Sequence, residues 1–179
     1  MSRSTSAGLL LYRWRGATLE VLLAHPGGPF WARRDAGAWS IPKGEVGDGE
    51  EPADVARREF REETGQEPPP GPAIDLGEAR QRSGKLVRAW GLEGDLDPAV
   101  SVSNTFEMEW PPGSGRRASF PEVDRVEWFP LEEALRRINP GQAPLLLRLR
   151  ELVPSHRDDP ARREPMAPKT RTRSRLVAS

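Results

Sequence analysis

The chain has 179 residues and a balanced charge, with 27 Lys plus Arg against 27 Asp plus Glu. That length favours one domain with a substantial core, and the balance points neither to a nucleic-acid binder nor to a membrane-surface protein. The absence of cysteine excludes disulfides, thiol catalysis and thiolate zinc sites. No apolar run approaches the roughly 18 residues of a membrane helix, so no membrane partner is expected. No export signal is read at the start of the chain, which makes the cytoplasm the expected compartment.

Residues 7–14 read as a first strand and 19–24 as a second, joined by the turn at Gly16 and Ala17. The stretch 25–37 is turn-rich and carries Phe30 and Trp31, which suit stacking on a base, shielding a pocket or covering the edge of the core. His25 suits local hydrogen bonding rather than catalysis. Trp39 then leads into Ile41-Pro42-Lys43-Gly44. Lys43 offers a point charge to a phosphate, and Gly44 lets the backbone approach an ion or ligand closely. An aromatic residue between 30 and 39 would cover a base, with Phe30, Trp31 and Trp39 as candidates.

The most informative stretch is 44–65, which reads GEVGDGEEPADVARREFREETG. Pro52 suits a first helical position, Glu51 and Asp54 suit the positive end of the helix, and Gly65 suits its stop. Ala53, Ala56 and Phe60 share a packing face. Glu59, Glu62 and Glu63 fall at i, i+3 and i+4, nearly on one other face. Their like charges repel, and hard divalent ions such as Mg²⁺ or Mn²⁺ seek oxygen clusters of this kind. An acidic solvated helix face is the plain alternative.

The wider pattern decides between these. Gly44, Glu50 and the run Arg58-Glu59-Phe60-Arg61-Glu62-Glu63-Thr64-Gly65 closely resemble the box of the Nudix hydrolase family. Gln66, where a bulky apolar residue is usual, is the one departure. The resemblance implies an α/β/α sandwich with a mixed sheet, and hydrolysis of a nucleoside diphosphate linked to another moiety. It implies Mg²⁺ or Mn²⁺ as cofactor, with Glu59, Glu62, Glu63 and the Gly44 carbonyl as ligands. Glu59 or a glutamate outside the box would serve as base, and Arg58 would orient a box glutamate. The Pro42-Lys43-Gly44 lead-in is similar to that of family members acting on dinucleoside polyphosphates or diphosphoinositol phosphates.

After the box, Pro68, Pro69 and Pro70 predict a stiff loop. Residues 74–81 and 85–92 read as strands around Ser83 and Gly84, with a basic character from Arg80, Arg82, Lys85 and Arg88. In 106–110, Phe106, Met108 and Trp110 alternate with Glu107 and Glu109, as in a half-buried strand. Its polar face is expected near the box helix, making Glu107 and Glu109 the candidates for the acid outside the box that the resemblance implies. Residues 111–117 read as a loop, 123–129 as a strand and 130–138 as a helix, with a last helical face through Leu145, Leu149 and Val153.

The expected organisation is a catalytic domain over 1–153 and a basic tail without fixed fold over 154–179. The tail's charge would suit nucleic acid, although a solubilising extension is the plainer reading. Among substrates the expectation leans to dinucleoside polyphosphates or nucleoside triphosphates. Nucleotide sugars, inositol pyrophosphates and a non-catalytic nucleotide or RNA sensor are the alternatives. A homodimer is left open.

Overall fold

The computed structural model describes residues 4–154. The tail expected over 154–179 lies, from residue 155 onward, outside the described residues.

Two long strands, β1 (Thr5–Arg15) and β2 (Thr18–Pro26), form the predicted hairpin at the centre of the sheet. Around them lie β3 (Lys43–Glu45), β4 (Ala73–Arg80), β5 (Leu86–Glu93) and β8 (Val123–Pro130). The order is β4-β5-β1-β2-β8, with β3 also paired to β1. Among the described strands only β1 and β5 pair in parallel, so the sheet is mixed.

Alternation along the strands splits the core into two layers. Leu10, Tyr12, Val21 and Leu23 face one side, with Leu145, Leu146 and Leu149. Leu9, Leu11, Leu22 and Ala24 face the other, with Val55, Ala56 and Phe60. Helix α1 (Pro52–Thr64) covers the second face, while α2 (Leu131–Arg137) and α3 (Ala143–Leu152) cover the first. The result is the expected α/β/α sandwich. Burying one such leucine completely contributes about 1.5–3 kcal/mol.

Among the described residues, the remaining strands, β6 (Thr105–Glu109) and β7 (Arg117–Pro121), pair only with each other. This hairpin is an arm off the sandwich, and β7 fills the stretch between the expected loop, which it meets at Arg117, and the expected strand at 123. The alternation predicted for β6 is present. Its apolar side, however, faces Phe120 and Gly28 rather than the main sheet.

Helix α1 ends as the sequence suggests. Gly65 takes φ 71° and its N–H donates to the Arg61 carbonyl at 2.7 Å. A Cβ on Gly65 would also stand 2.6 Å from the Val102 carbonyl oxygen. Gly65→Ala should therefore destabilise the fold by about 1–3 kcal/mol, from left-handed strain and the close carbonyl together. Urea unfolding measures this, and an unchanged midpoint would mean that the 102 segment yields freely.

Candidate active site

Strand β3 is the hinge between two surfaces. Gly44 turns towards α1, where the Glu59 carboxyl fills the space that a side chain would need; a Cβ on Gly44 would lie 2.0 Å from Glu59 Cδ. Next to it, the Lys43 backbone N–H donates to Glu63 Oε2 at 3.2 Å. The box helix is thus pinned to β3 through its own carboxylates.

Arg58 organises the start of the box. Its guanidinium donates to Glu50, and reaches Glu59 at 3.4 Å and Glu62 at 3.7 Å. Glu50 also accepts from the Gly47 N–H at 2.8 Å, so it closes the loop ahead of α1. The Arg58 hydrogen bond, helped by Gly47, holds the Glu50 carboxyl below its ordinary range.

Glu59 and Glu63 behave in the opposite way. Desolvation raises the pKa of Glu59 despite its contact with Arg58, and the charges of Glu62 and Glu122 add to the rise. Desolvation pushes Glu63 up to about 8, against the pull of Lys43, with Glu59 and Glu122 adding repulsion. Burial likewise lowers Lys43, which the Glu63 charge only partly offsets.

Glu122 is a further acid beside the box glutamates that sequence reasoning did not single out. It sits between β7 and β8, and its charge acts on both Glu59 and Glu63. Main-chain bonds hold it there. The Asn104 N–H donates to the Glu62 carbonyl at 2.8 Å, the Glu122 N–H to the Asn104 carbonyl at 2.8 Å, and the Gly27 N–H to the Glu122 carbonyl at 2.9 Å. No side-chain motif announces this path.

Glu107 and Glu109 require correction. Glu107 pairs with Arg117 at 3.5 Å, and Glu109 accepts from the Gly115 N–H at 2.7 Å. Both side chains are engaged within the arm, because β6 joins β7 rather than the main sheet. Trp39 is also corrected. It is fully buried, donates from its indole to Asp35 at 2.7 Å and packs edge-on against Phe129, so no ring face is free to stack on a base. His25 is buried between Asp124 and the Arg34 carbonyl, a local hydrogen-bonding role.

Behind β3 lies a pocket of about 340 Å³ that Trp31, Lys43, Arg82 and Gln142 help to line. Trp31 is 39% exposed and Phe30 59%. Of the basic hairpin, Arg82 reaches this pocket, while Lys85 pairs with Glu45 and Arg88 with Asp75. Gln66, the departure from the box pattern, donates to the Asp97 carbonyl at 3.0 Å and to Ser101 Oγ at 3.1 Å. A polar side chain therefore ties down the end of the box where an apolar one would pack.

Residues 2–149 match the sequence model described as the NUDIX domain. The chain belongs to the Nudix family. A Myxococcus xanthus protein named as an octanoyltransferase is 32% identical to it over 135 residues, or 74% of this chain. The Nudix chain spans about a third of that relative's length, since the match takes in 32% of it. Among solved structures it is similar to a C. elegans Ap4A hydrolase in a binary complex. There the TM-score is 0.57 and the identity 22%, over 82% of this chain and 96% of that one. It is also similar to the NUDIX domain of Shewanella oneidensis NrtR complexed with ADP ribose. That match has a TM-score of 0.56 at 17% identity, over 84% of this chain and 88% of the other. At these identities the likeness shows the fold. No helix among the described residues is long and apolar enough to cross a membrane.

A hard cation fits the donor chemistry here. Glu59, Glu63 and Glu122 repel one another, two of them are desolvated, and Glu59 lies in the cradle left by Gly44. Among the described residues, however, no three His, Cys, Asp or Glu side chains are already gathered as a metal cage.

Two outcomes follow from this geometry. Gly44→Ala should displace the Glu59 carboxyl and lower turnover about 10²-fold or more in folded protein; near-normal kcat would show that Glu59 is not placed by Gly44. The second concerns pH. Because the folded chain holds the Glu63 proton up to about 8 against an ordinary 4.5, it binds a proton that the unfolded chain has lost between those values. Stability of the metal-free protein should therefore fall as pH rises through that window. Thermal melts should show the fall in wild type and a flatter profile in Glu63→Gln.

Proposed function

We propose that this Nudix domain hydrolyses a phosphoric anhydride in a nucleoside diphosphate linked to a second moiety, with dinucleoside polyphosphates or nucleoside triphosphates as the substrate class. The observation that carries this reading is the juxtaposition across β3. Mutually repelling carboxylates gather against Gly44 and the Lys43 N–H, and Lys43 also lines the pocket that holds Trp31 and Arg82.

Glu59, Glu62, Glu63 and Glu122, with the Gly44 carbonyl, would hold Mg²⁺ or Mn²⁺. Such an ion neutralises phosphate oxygens and makes a bound water more acidic. The chain's own residues supply the rest. Lys43 and Arg82 place positive charge along the phosphate chain. Trp31 offers a partly exposed ring to a nucleobase at the pocket wall. Arg58 fixes Glu59 and Glu62 while leaving their outer oxygens for other partners. Glu122, fixed through its backbone and exposed at its side chain, is suited to accept a proton from the attacking water.

The C. elegans neighbour is an Ap4A hydrolase, which agrees with this substrate class without deciding it at that identity. The NrtR neighbour was solved with ADP ribose, so a nucleoside diphosphate linked to a sugar belongs in any substrate panel. The whole protein named as an octanoyltransferase gives no further substrate for this domain.

Product analysis in ¹⁸O-labelled water with Mg²⁺ tests the reading. The panel is nucleoside triphosphates, diadenosine polyphosphates, nucleotide sugars and inositol pyrophosphates. Selective turnover with labelled phosphate product is expected for the first two. Saturable binding without product from any of them would replace the enzyme by a sensor. Within the active enzyme, Glu63→Gln and Glu122→Gln should each lower kcat about 10²-fold or more. Glu109→Gln should stay within about twofold, since its carboxylate serves the arm; the reverse order would remove Glu122 from the site.

A further inference from the structure

The arm and the 27–35 loop form one unit. Gly28 lies against Phe106, whose Cζ would be 3.0 Å from an added Cβ, and Phe30 meets Trp110 edge-to-face at 5.7 Å and 87°. Phe30 and Trp31 are neighbours in sequence but serve different surroundings. Trp31 lines the Lys43 and Arg82 pocket, whereas the residues lining that pocket include neither Phe30 nor Trp110. Phe30 nevertheless stays 59% exposed, and Trp110 is half-buried.

We propose that the Phe30–Trp110 pair is a second aromatic platform, which stacks a second planar base at the far end of the substrate's phosphate chain. The proposal rests on the hydrolase reading above and narrows it to substrates with a heteroaromatic base at each end. An edge-to-face pair engages one face of one ring and leaves other ring surface open to a base. Stacking on such surface tolerates any base, because every base has a π-face. Consecutive Cα atoms lie about 3.8 Å apart, so the backbone at Phe30 and Trp31 joins the two platforms directly, although the two rings have different neighbours. The box helix is tied to the same unit through the bonds joining Glu62, Asn104, Glu122 and Gly27, and Lys43 joins that helix through its N–H to Glu63. A ligand with two bases would therefore span the reacting phosphates with both ends held.

Calorimetric titration with methylene-bridged analogues of diadenosine tetraphosphate and of ATP, in Mg²⁺, tests this. Phe30→Ala should weaken the diadenosine analogue about tenfold and leave the ATP analogue within about twofold. Trp110→Leu should do the same, which guards against a fold defect in either variant. If Phe30→Ala weakens both analogues alike, or neither, while wild type binds both, the second platform is overturned and the hydrolase reading stands. If wild type binds neither analogue, both readings fall. Sedimentation adds a separate outcome: a wild-type dimer that Phe30→Ala converts to monomer assigns the pair to a subunit contact and overturns the platform.

Discussion

Carboxylates brought together out of water are the constraint around which the molecule is arranged. Glu59 and Glu63 lose hydration and feel each other and Glu122. A desolvated carboxylate is tolerable only with opposite charge, hydrogen bonds or a proton nearby. Each neighbouring feature supplies one of these. Arg58 contacts Glu59, the Lys43 backbone N–H donates to Glu63, and Lys43 adds its own charge. Gly44 contributes by having no side chain, since the Glu59 carboxyl occupies that space. The sheet in turn holds β3 against β1, fixing the backbone from which Lys43 and Gly44 meet the glutamates.

What could be read in the sequence divides along the same physical line. Local rules reached α1 well: a proline at its start, a glycine at its end and three glutamates at helical spacing all lie within one element. The strand pairs around Gly16 and around Ser83 were legible for the same reason, because a short turn leaves a chain few partners. Even here the packing face was drawn slightly wrong, since Val55 is buried and Ala53 only partly so.

Long-range partners were not legible. Alternation told that Glu107 and Glu109 share a face of β6, but alternation carries no information about which strand β6 pairs with. The pairing went to β7, while the Glu122 charge is one that acts on the box glutamates. Trp39 was misread because an aromatic residue beside a glycine-rich loop looks the same in sequence whether it covers a ligand or fills the core. Two distant contacts decide its burial: its N–H donates to the Arg137 carbonyl, and its carbonyl accepts from the Asn139 N–H. Both arise from the far side of the chain.

The main-chain tether of Glu122 has an evolutionary consequence. Its N–H and C=O are both occupied at the root of the arm, whereas the tip around Gly113 and Gly115 has open space about both glycines. Loop tips of this kind tolerate insertion and change of length far better than paired segments do. The arm can therefore be lengthened, shortened or redecorated at its tip while the root keeps its register. The variable part of the hairpin is in this way kept apart from the part that sets Glu122 beside the box glutamates, and a lineage can remodel the one without rebuilding the other.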